Sequence, residues 1–280
     1  MLETSFKRLL IGEVSLKRMI RSALLIAILV YIGTFVYARL FGNRIIFQAP
    51  TSSYQDTAEV IKLTSEGVQI SAIYLGNPNA SYTILYSHGN AEDIGLIRPL
   101  LEETKALGFS VFAYDYRGYG TSSGSSSEHT AYQDIDASYE YLTNAKKIPG
   151  HQIIAVGRSL GGAVAVDLAS RRPLAGLVVE SSFVSAYRVL TRFPIYPFDI
   201  FKSHSKMKQI HCPVLIIHGR QDEVIPFWHG EKLFQAANEP KLSYWVDGAG
   251  HNNLFDVAGT GYAKTLRDFV GLIDRTRAGQ

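Results

Sequence analysis

The sequence predicts an α/β domain built on a mainly parallel sheet with helices on both faces, preceded by a separate apolar segment. Three observations carry this. Short apolar runs such as Thr83-Ile84-Leu85-Tyr86-Ser87 and Val214-Leu215-Ile216-Ile217 alternate with longer helical patterns. A Gly-x-Ser-x-Gly turn at 157–161 leads from one such run into the alanine-rich stretch Ala163-Val164-Ala165-Val166-Asp167-Leu168-Ala169. Residues 22–38 carry no formal charge and precede all of this. With that segment set aside, the 280-residue chain leaves one unit of about the 200–250 residues that α/β folds commonly reach.

The first 21 residues form a basic arm. Lys7, Arg8, Lys17, Arg18 and Arg21 against Glu3 and Glu13 give it a net charge of +3, which equals the charge of the whole chain, so the remainder is formally neutral. A neutral domain gives no case for nucleic-acid binding, and anionic lipid or topology accounts better for the arm. Residues 22–41 are expected to be a transmembrane anchor, since a span needs about 20 apolar residues and Arg21 and Arg39 can snorkel. A cleaved signal peptide ending at Val36-Tyr37-Ala38 competes with that reading. A core helix fits less well, because the segment precedes the whole fold. Positive charge ahead of the span predicts a single-pass protein with a cytoplasmic N-terminus and its globular domain on the opposite, periplasmic or extracytoplasmic, side. Arg39 and Arg44 weaken that charge bias.

The globular domain is expected over 45–275. Strands at 59–64 and 68–74 form a hairpin around Glu66-Gly67. A strand at 83–87, a helix at 94–107, a buried strand at 110–114 and a helix at 130–144 follow. The serine-rich patch 121–127 reads as a flexible loop on the functional side. Next come the strand before the Gly-x-Ser-x-Gly turn, its helix, and strands at 177–179, 214–217 and 242–246. Between strands, 183–209 is aromatic and interrupted by proline, with Phe183, Tyr187, Phe193, Tyr196, Phe198 and Phe201, and reads as a short lid. Its apolar side chains either line an acyl pocket or pack over the sheet. Cys212 is the one cysteine, so no internal disulfide is possible and the redox compartment is not indicated.

The Gly-x-Ser-x-Gly turn, in a strand-turn-helix context, is a nucleophile elbow with Ser159 as its nucleophile. A serine hydroxyl needs a histidine within hydrogen-bond reach and a carboxylate to fix that histidine's tautomer. Asp222 follows the strand 214–217, and His251 follows the strand 242–246 within Gly248-Ala249-Gly250-His251-Asn252. Glu223 and Glu180 are rival acids, since both also follow strands. His88 and His218 follow strands too, and read as loop-organising residues. The oxyanion hole is expected from the Leu160 amide and from the Asn90 amide in His88-Gly89-Asn90-Ala91, with the Ala91 amide as the fallback donor.

Taken together, His88-Gly89-Asn90-Ala91-Glu92-Asp93, Asp115-Tyr116-Arg117-Gly118-Tyr119-Gly120-Thr121-Ser122-Ser123-Gly124, Asp134-Ile135-Asp136-Ala137, Gly157-Arg158-Ser159-Leu160-Gly161, Pro213-Val214-Leu215-Ile216-Ile217-His218-Gly219 and Gly248-Ala249-Gly250-His251-Asn252 resemble one group of α/β-hydrolases. That group is the membrane-associated Bem-type hydrolases, which includes animal enzymes that remove palmitoyl groups from proteins. The resemblance runs from about 45 to 270 and implies an α/β-hydrolase fold with Ser159, Asp222 and His251 as the triad. The chain departs from the animal depalmitoylases at its start, where theirs is a lipidated cysteine cluster. Here no cysteine precedes Cys212, and the apolar segment stands in its place.

The expected activity is a membrane-anchored serine hydrolase acting on ester or thioester bonds of acyl or lipid-like substrates, with no metal or cofactor. A serine aminopeptidase-like hydrolase and a catalytically silent binding protein are the alternatives. Nothing in the sequence indicates an oligomeric state.

Overall fold

The computed structural model describes residues 16–279, so most of the basic arm lies outside the described residues. The chain divides into two compact units, Met1–Ile45 and Ile46–Gln280. In the first, α1 (Leu16–Ile46) is a single 31-residue helix, about 46 Å long at 1.5 Å per residue. The side chains of Leu24, Leu25, Ile26, Leu29 and Val30 along it are exposed. It is long and apolar enough to cross a membrane.

The second unit is built on an eight-stranded sheet. Its strands are β1 (Ile61–Ser65), β2 (Val68–Leu75), β3 (Thr83–Ser87), β4 (Ser110–Tyr114), β5 (Ile153–Arg158), β6 (Gly176–Glu180), β7 (Val214–Gly219) and β8 (Lys241–Val246). Their spatial order is β1-β2-β4-β3-β5-β6-β7-β8. β1 and β2 pair antiparallel through a turn in which Glu66 and Gly67 both have positive φ, 45° and 79°. Two successive positive φ values match the strand twist of a tight hairpin. β2 also runs antiparallel to β4, and every pairing from β4 through β8 is parallel.

Alternation along each strand sends side chains to opposite faces, so a doubly covered sheet needs apolar residues at consecutive positions. In β5, Ile153 and Ala155 join the core formed with Ala131, Ile135, Val164 and Leu168. Ile154 and Val156 point the other way, toward Leu101, Tyr262, Leu266 and Phe269. The first face is covered by α3 (Glu128–Glu140) and α4 (Leu160–Ala169), and the second by α2 (Arg98–Ala106) and the C-terminal helix (Thr260–Ala278).

Several sequence-based boundaries shift. The helix expected from 94 begins at Arg98, because Asp115 Oδ1 takes the Ile94 amide at 2.8 Å and Asp93 Oδ1 takes the Leu96 amide at 2.9 Å. Pro99 then sits in its first turn, where the missing N–H costs nothing. The helix expected at 130–144 begins at Glu128, where Ser127 and Thr130 exchange side-chain-to-backbone hydrogen bonds as a capping box. It ends at Glu140 and widens into a π turn over Tyr141–Ala145. The serine-rich patch is held in place rather than loose. Ser122 Oγ donates to the Asp115 carbonyl at 3.0 Å and accepts the Ser71 amide at 2.8 Å, and Ser126 Oγ donates to the Arg117 carbonyl.

The lid residues divide. Phe183 and Phe201 are buried in the core, whereas Tyr196 and Phe198 stack on one another and Tyr187 meets both edge to face. Leu190, Phe193 and Ile195 are exposed.

Candidate active site

β3, β5, β7 and β8 run parallel, so the loops leaving their carboxyl ends emerge along one edge of the sheet, where ligand sites of such sheets form. Ser159 occupies the turn between β5 and α4 with φ 52° and ψ −116°, a conformation rare for a residue with a side chain. The residues two positions to either side must be glycine. A Cβ on Gly157 would lie 2.1 Å from the Gly161 carbonyl oxygen, and one on Gly161 would lie 2.0 Å from the Ser87 carbonyl oxygen. The Ser159 amide donates to the Glu180 carbonyl at 2.8 Å, and Ser182 Oγ donates to the Ser159 carbonyl at 2.7 Å.

His251 Nε2 is 3.1 Å from Ser159 Oγ, and its Nδ1 is 2.8 Å from Asp222 Oδ2. With Nδ1 protonated toward the carboxylate, Nε2 is left to accept the serine proton. The other Asp222 oxygen accepts the amides of Val224 at 3.0 Å and Ile225 at 2.7 Å. Burial pushes the Asp222 carboxyl up, but the hydrogen bond and charge of His251 together with the Ile225 amide outweigh it and hold the group below its ordinary value.

The rivals occupy other positions. Glu223 Oε2 accepts the His251 backbone amide at 3.4 Å, whereas the ring nitrogen Nδ1 is taken by Asp222. Glu180 is buried and accepts the Tyr262 hydroxyl. Burial holds its carboxyl up at about 6 against the lowering effect of that hydrogen bond. His218 lies beside Asp222, its Nε2 3.4 Å from Asp222 Oδ2 and donating to the Ile225 carbonyl at 2.8 Å. His88 is fully buried against the rings of Tyr116 and Tyr119.

His88 has a second consequence. Its Nδ1 lies 2.8 Å from the Gly89 carbonyl oxygen. In a trans peptide the C=O and the next N–H point in opposite directions, so fixing the Gly89 carbonyl fixes the Asn90 N–H. Asn90 Oδ1 is in turn held by the Gln48 amide at 2.9 Å and the Tyr119 hydroxyl at 2.6 Å. Ala91, the fallback donor, has φ 57°. This turn lies against the elbow, since a Cβ on Gly89 would be 3.6 Å from Ser159 Cβ. Leu160 is the first residue of α4, so its N–H has no intrahelical acceptor.

Two cavities flank this edge. One of about 350 Å³ is lined by Val184, Arg188, Tyr196, Phe198 and Trp228, and touches none of Ser159, Asp222 and His251. The other, about 300 Å³, reaches His251 and combines an apolar wall of Leu96, Leu100, Leu254 and Phe255 with Arg158 and Glu180. Among the described residues, no group of three or more His, Cys, Asp or Glu side chains is placed to hold a metal ion. Cys212 lies elsewhere, and burial pushes its thiol up to about 12.

Comparison with known proteins agrees with this architecture. Over 213 residues the chain is 40% identical to alpha/beta hydrolase domain-containing protein 17B of Homo sapiens, covering 74% of this chain and 73% of the relative. The Xenopus tropicalis 17B protein is 41% identical over the same length and shares. This chain belongs to that α/β-hydrolase family. A family model described as "Serine aminopeptidase, S33" matches residues 78–195 of this hydrolase. Among solved structures, an esterase of Pyrococcus furiosus superposes with a TM-score of 0.67 at 19% identity, covering 80% of this chain and 98% of the esterase. A Paleococcus ferrophilus monoacylglycerol lipase gives 0.59 at 20% identity, covering 73% and 98%. At those identities the likeness concerns the fold.

Sequence reasoning missed Arg158 and Ser182, which hold the loops of this hydrolase from the side. Arg158 fills a variable position of the Gly-x-Ser-x-Gly pattern, so the motif gave no signal. Ser182 acts through a backbone carbonyl 23 residues away, a contact that only the β5–β6 pairing creates.

Proposed function

We propose that this α/β-hydrolase is a membrane-anchored serine hydrolase that cleaves carboxylic ester or thioester bonds of acyl or lipid-like substrates. The observation that carries the reading is the hydrogen-bonded series Ser159–His251–Asp222, 3.1 Å and 2.8 Å, on a strand-to-helix turn that holds Ser159 at φ 52°, as a nucleophile elbow would. As Ser159 Oγ bonds to the substrate carbonyl carbon, its proton passes to His251 Nε2, and Asp222 stabilises the imidazolium. The Asn90 and Leu160 amides donate to the oxyanion. Collapse breaks the bond to the leaving alcohol or thiol, which takes the proton from Nε2. Water, deprotonated by His251, then releases the acyl group as a carboxylic acid and returns Ser159.

Substrate class is supported by two features. The apolar wall of Leu96, Leu100, Leu254 and Phe255 beside His251 suits an alkyl chain. The helix Leu16–Ile46, read as an uncleaved anchor with a cytoplasmic N-terminus, would keep the domain at a lipid surface. A peptide reading draws on the family model's description and on Glu103 and Asp256 in the same cavity, which offer counter-charge to a substrate ammonium.

The test is hydrolysis of p-nitrophenyl esters of increasing chain length beside aminoacyl p-nitroanilides. The proposal expects ester turnover that improves with chain length and no anilide cleavage. Anilide cleavage exceeding ester cleavage would move the peptide reading to the front.

A further inference from the structure

We infer that the ion pair of Arg158 with Glu92 is a brace that sets the positions of the oxyanion turn and the histidine loop relative to Ser159, making both residues positioning residues for turnover. The inference rests on the serine-hydrolase reading above.

Arg158 immediately precedes Ser159 and is the last residue of β5, so its backbone is fixed by the sheet. Its guanidinium joins two loops. One nitrogen, Nη1, meets Glu92 Oε1. The other, Nη2, donates to the His251 carbonyl at 2.9 Å and to Asn252 Oδ1 at 3.0 Å. Glu92 uses its second oxygen, Oε2, to accept the Gly89 amide at 2.7 Å.

These contacts meet the turn and the loop at their backbones. Glu92 fixes the Gly89 amide, one peptide before the Asn90 N–H, while His88 fixes the Gly89 carbonyl between them. The planar guanidinium forks between the His251 carbonyl and the neighbouring amide oxygen, and so fixes the loop that carries the imidazole. Side-chain exposure of 18% for Arg158 and 20% for Glu92 leaves the pair partly shielded, where charge-assisted hydrogen bonds hold geometry better than at an open surface. Lysine could keep the ion pair but offers a point charge in place of the planar fork. A displacement of about 1 Å at such a site can cost about 10²-fold in rate.

The experiment uses the full chain in membranes or detergent, with Arg158→Met, Arg158→Lys, Glu92→Gln, Asn252→Ala and the Arg158→Met/Glu92→Gln double variant. Ester hydrolysis gives kcat and KM, fluorophosphonate labelling gives the rate of serine attack, and thermal unfolding reports the fold. The brace predicts that Arg158→Met lowers kcat and the labelling rate by about 10²-fold with KM within about threefold, since the loss is in transition-state geometry. Arg158→Lys should recover part of the loss. The double variant should be no worse than Arg158→Met alone, because both substitutions remove the same brace. Equal kcat in wild type and Arg158→Met, or losses that multiply in the double variant, overturns the brace while leaving the triad standing. If Arg158→Met does not fold, Glu92→Gln decides, since it removes the charge and leaves one acceptor oxygen for Arg158 and the Gly89 amide together, with a reduced kcat at unchanged KM expected and an unchanged kcat overturning it. Wild-type enzyme that the probe does not label overturns the serine-hydrolase reading and this inference with it.

Discussion

Replacing Glu180 with glutamine should stabilise the protein at neutral pH and leave turnover largely intact. Burial raises the Glu180 carboxyl from 4.5 to about 6, against the lowering effect of the Tyr262 hydroxyl it accepts. Because the value is raised on folding, the group's contribution is fully present below about 4.5 and is lost as pH rises through about 6. The gap between those values corresponds to about 2 kcal/mol. Glutamine keeps an acceptor for Tyr262 and never ionises. The stability difference between variant and wild type should therefore widen by about 2 kcal/mol from about pH 4 to pH 8. In a domain of this size that is about 4–8 °C in Tm. Urea denaturation across that pH range measures the difference, and ester hydrolysis measures activity. A difference that stays constant with pH refutes the burial argument. An inactive but folded variant would instead make Glu180 the acid that serves His251.

Asp222→Asn should lower kcat by about 10⁴-fold, the typical cost of losing the carboxylate that holds the histidine tautomer, whereas Glu223→Gln should change kcat by less than about tenfold; the reverse order in steady-state ester hydrolysis would assign the acid to Glu223. Gly161→Ala places a Cβ 2.0 Å from the Ser87 carbonyl oxygen and 2.6 Å from that of His88, both backbone atoms that cannot swing away. Stability should fall by at least about 3 kcal/mol, and a loss below about 1 kcal/mol in urea would show that the elbow is less tightly packed than the geometry indicates.

Strand ends are the legible part of this sequence. Ser159, Asp222 and His251 each stand just past an apolar run, and parallel pairing of β5, β6, β7 and β8 is enough to bring those ends to one edge. Choosing between Glu180 and Asp222 is beyond local pattern, because both leave strands in the same way. What separates them is Tyr262, on a helix 82 residues further along, whose hydroxyl occupies Glu180. The lid is opaque for a related reason. Its aromatic residues show no period, and only their long-range partners send Phe183 and Phe201 into the core and leave Phe193 outside. Helix starts were displaced where acidic side chains captured the amides, as Asp93 and Asp115 do before Arg98.

The proposed chemistry depends on an activated Ser159, and fluorophosphonate labelling of the protein tests that claim most directly. Wild type should label covalently, and Ser159→Ala, equally folded, should not. Labelling that persists in Ser159→Ala, or a folded wild type that never labels, would contradict the account.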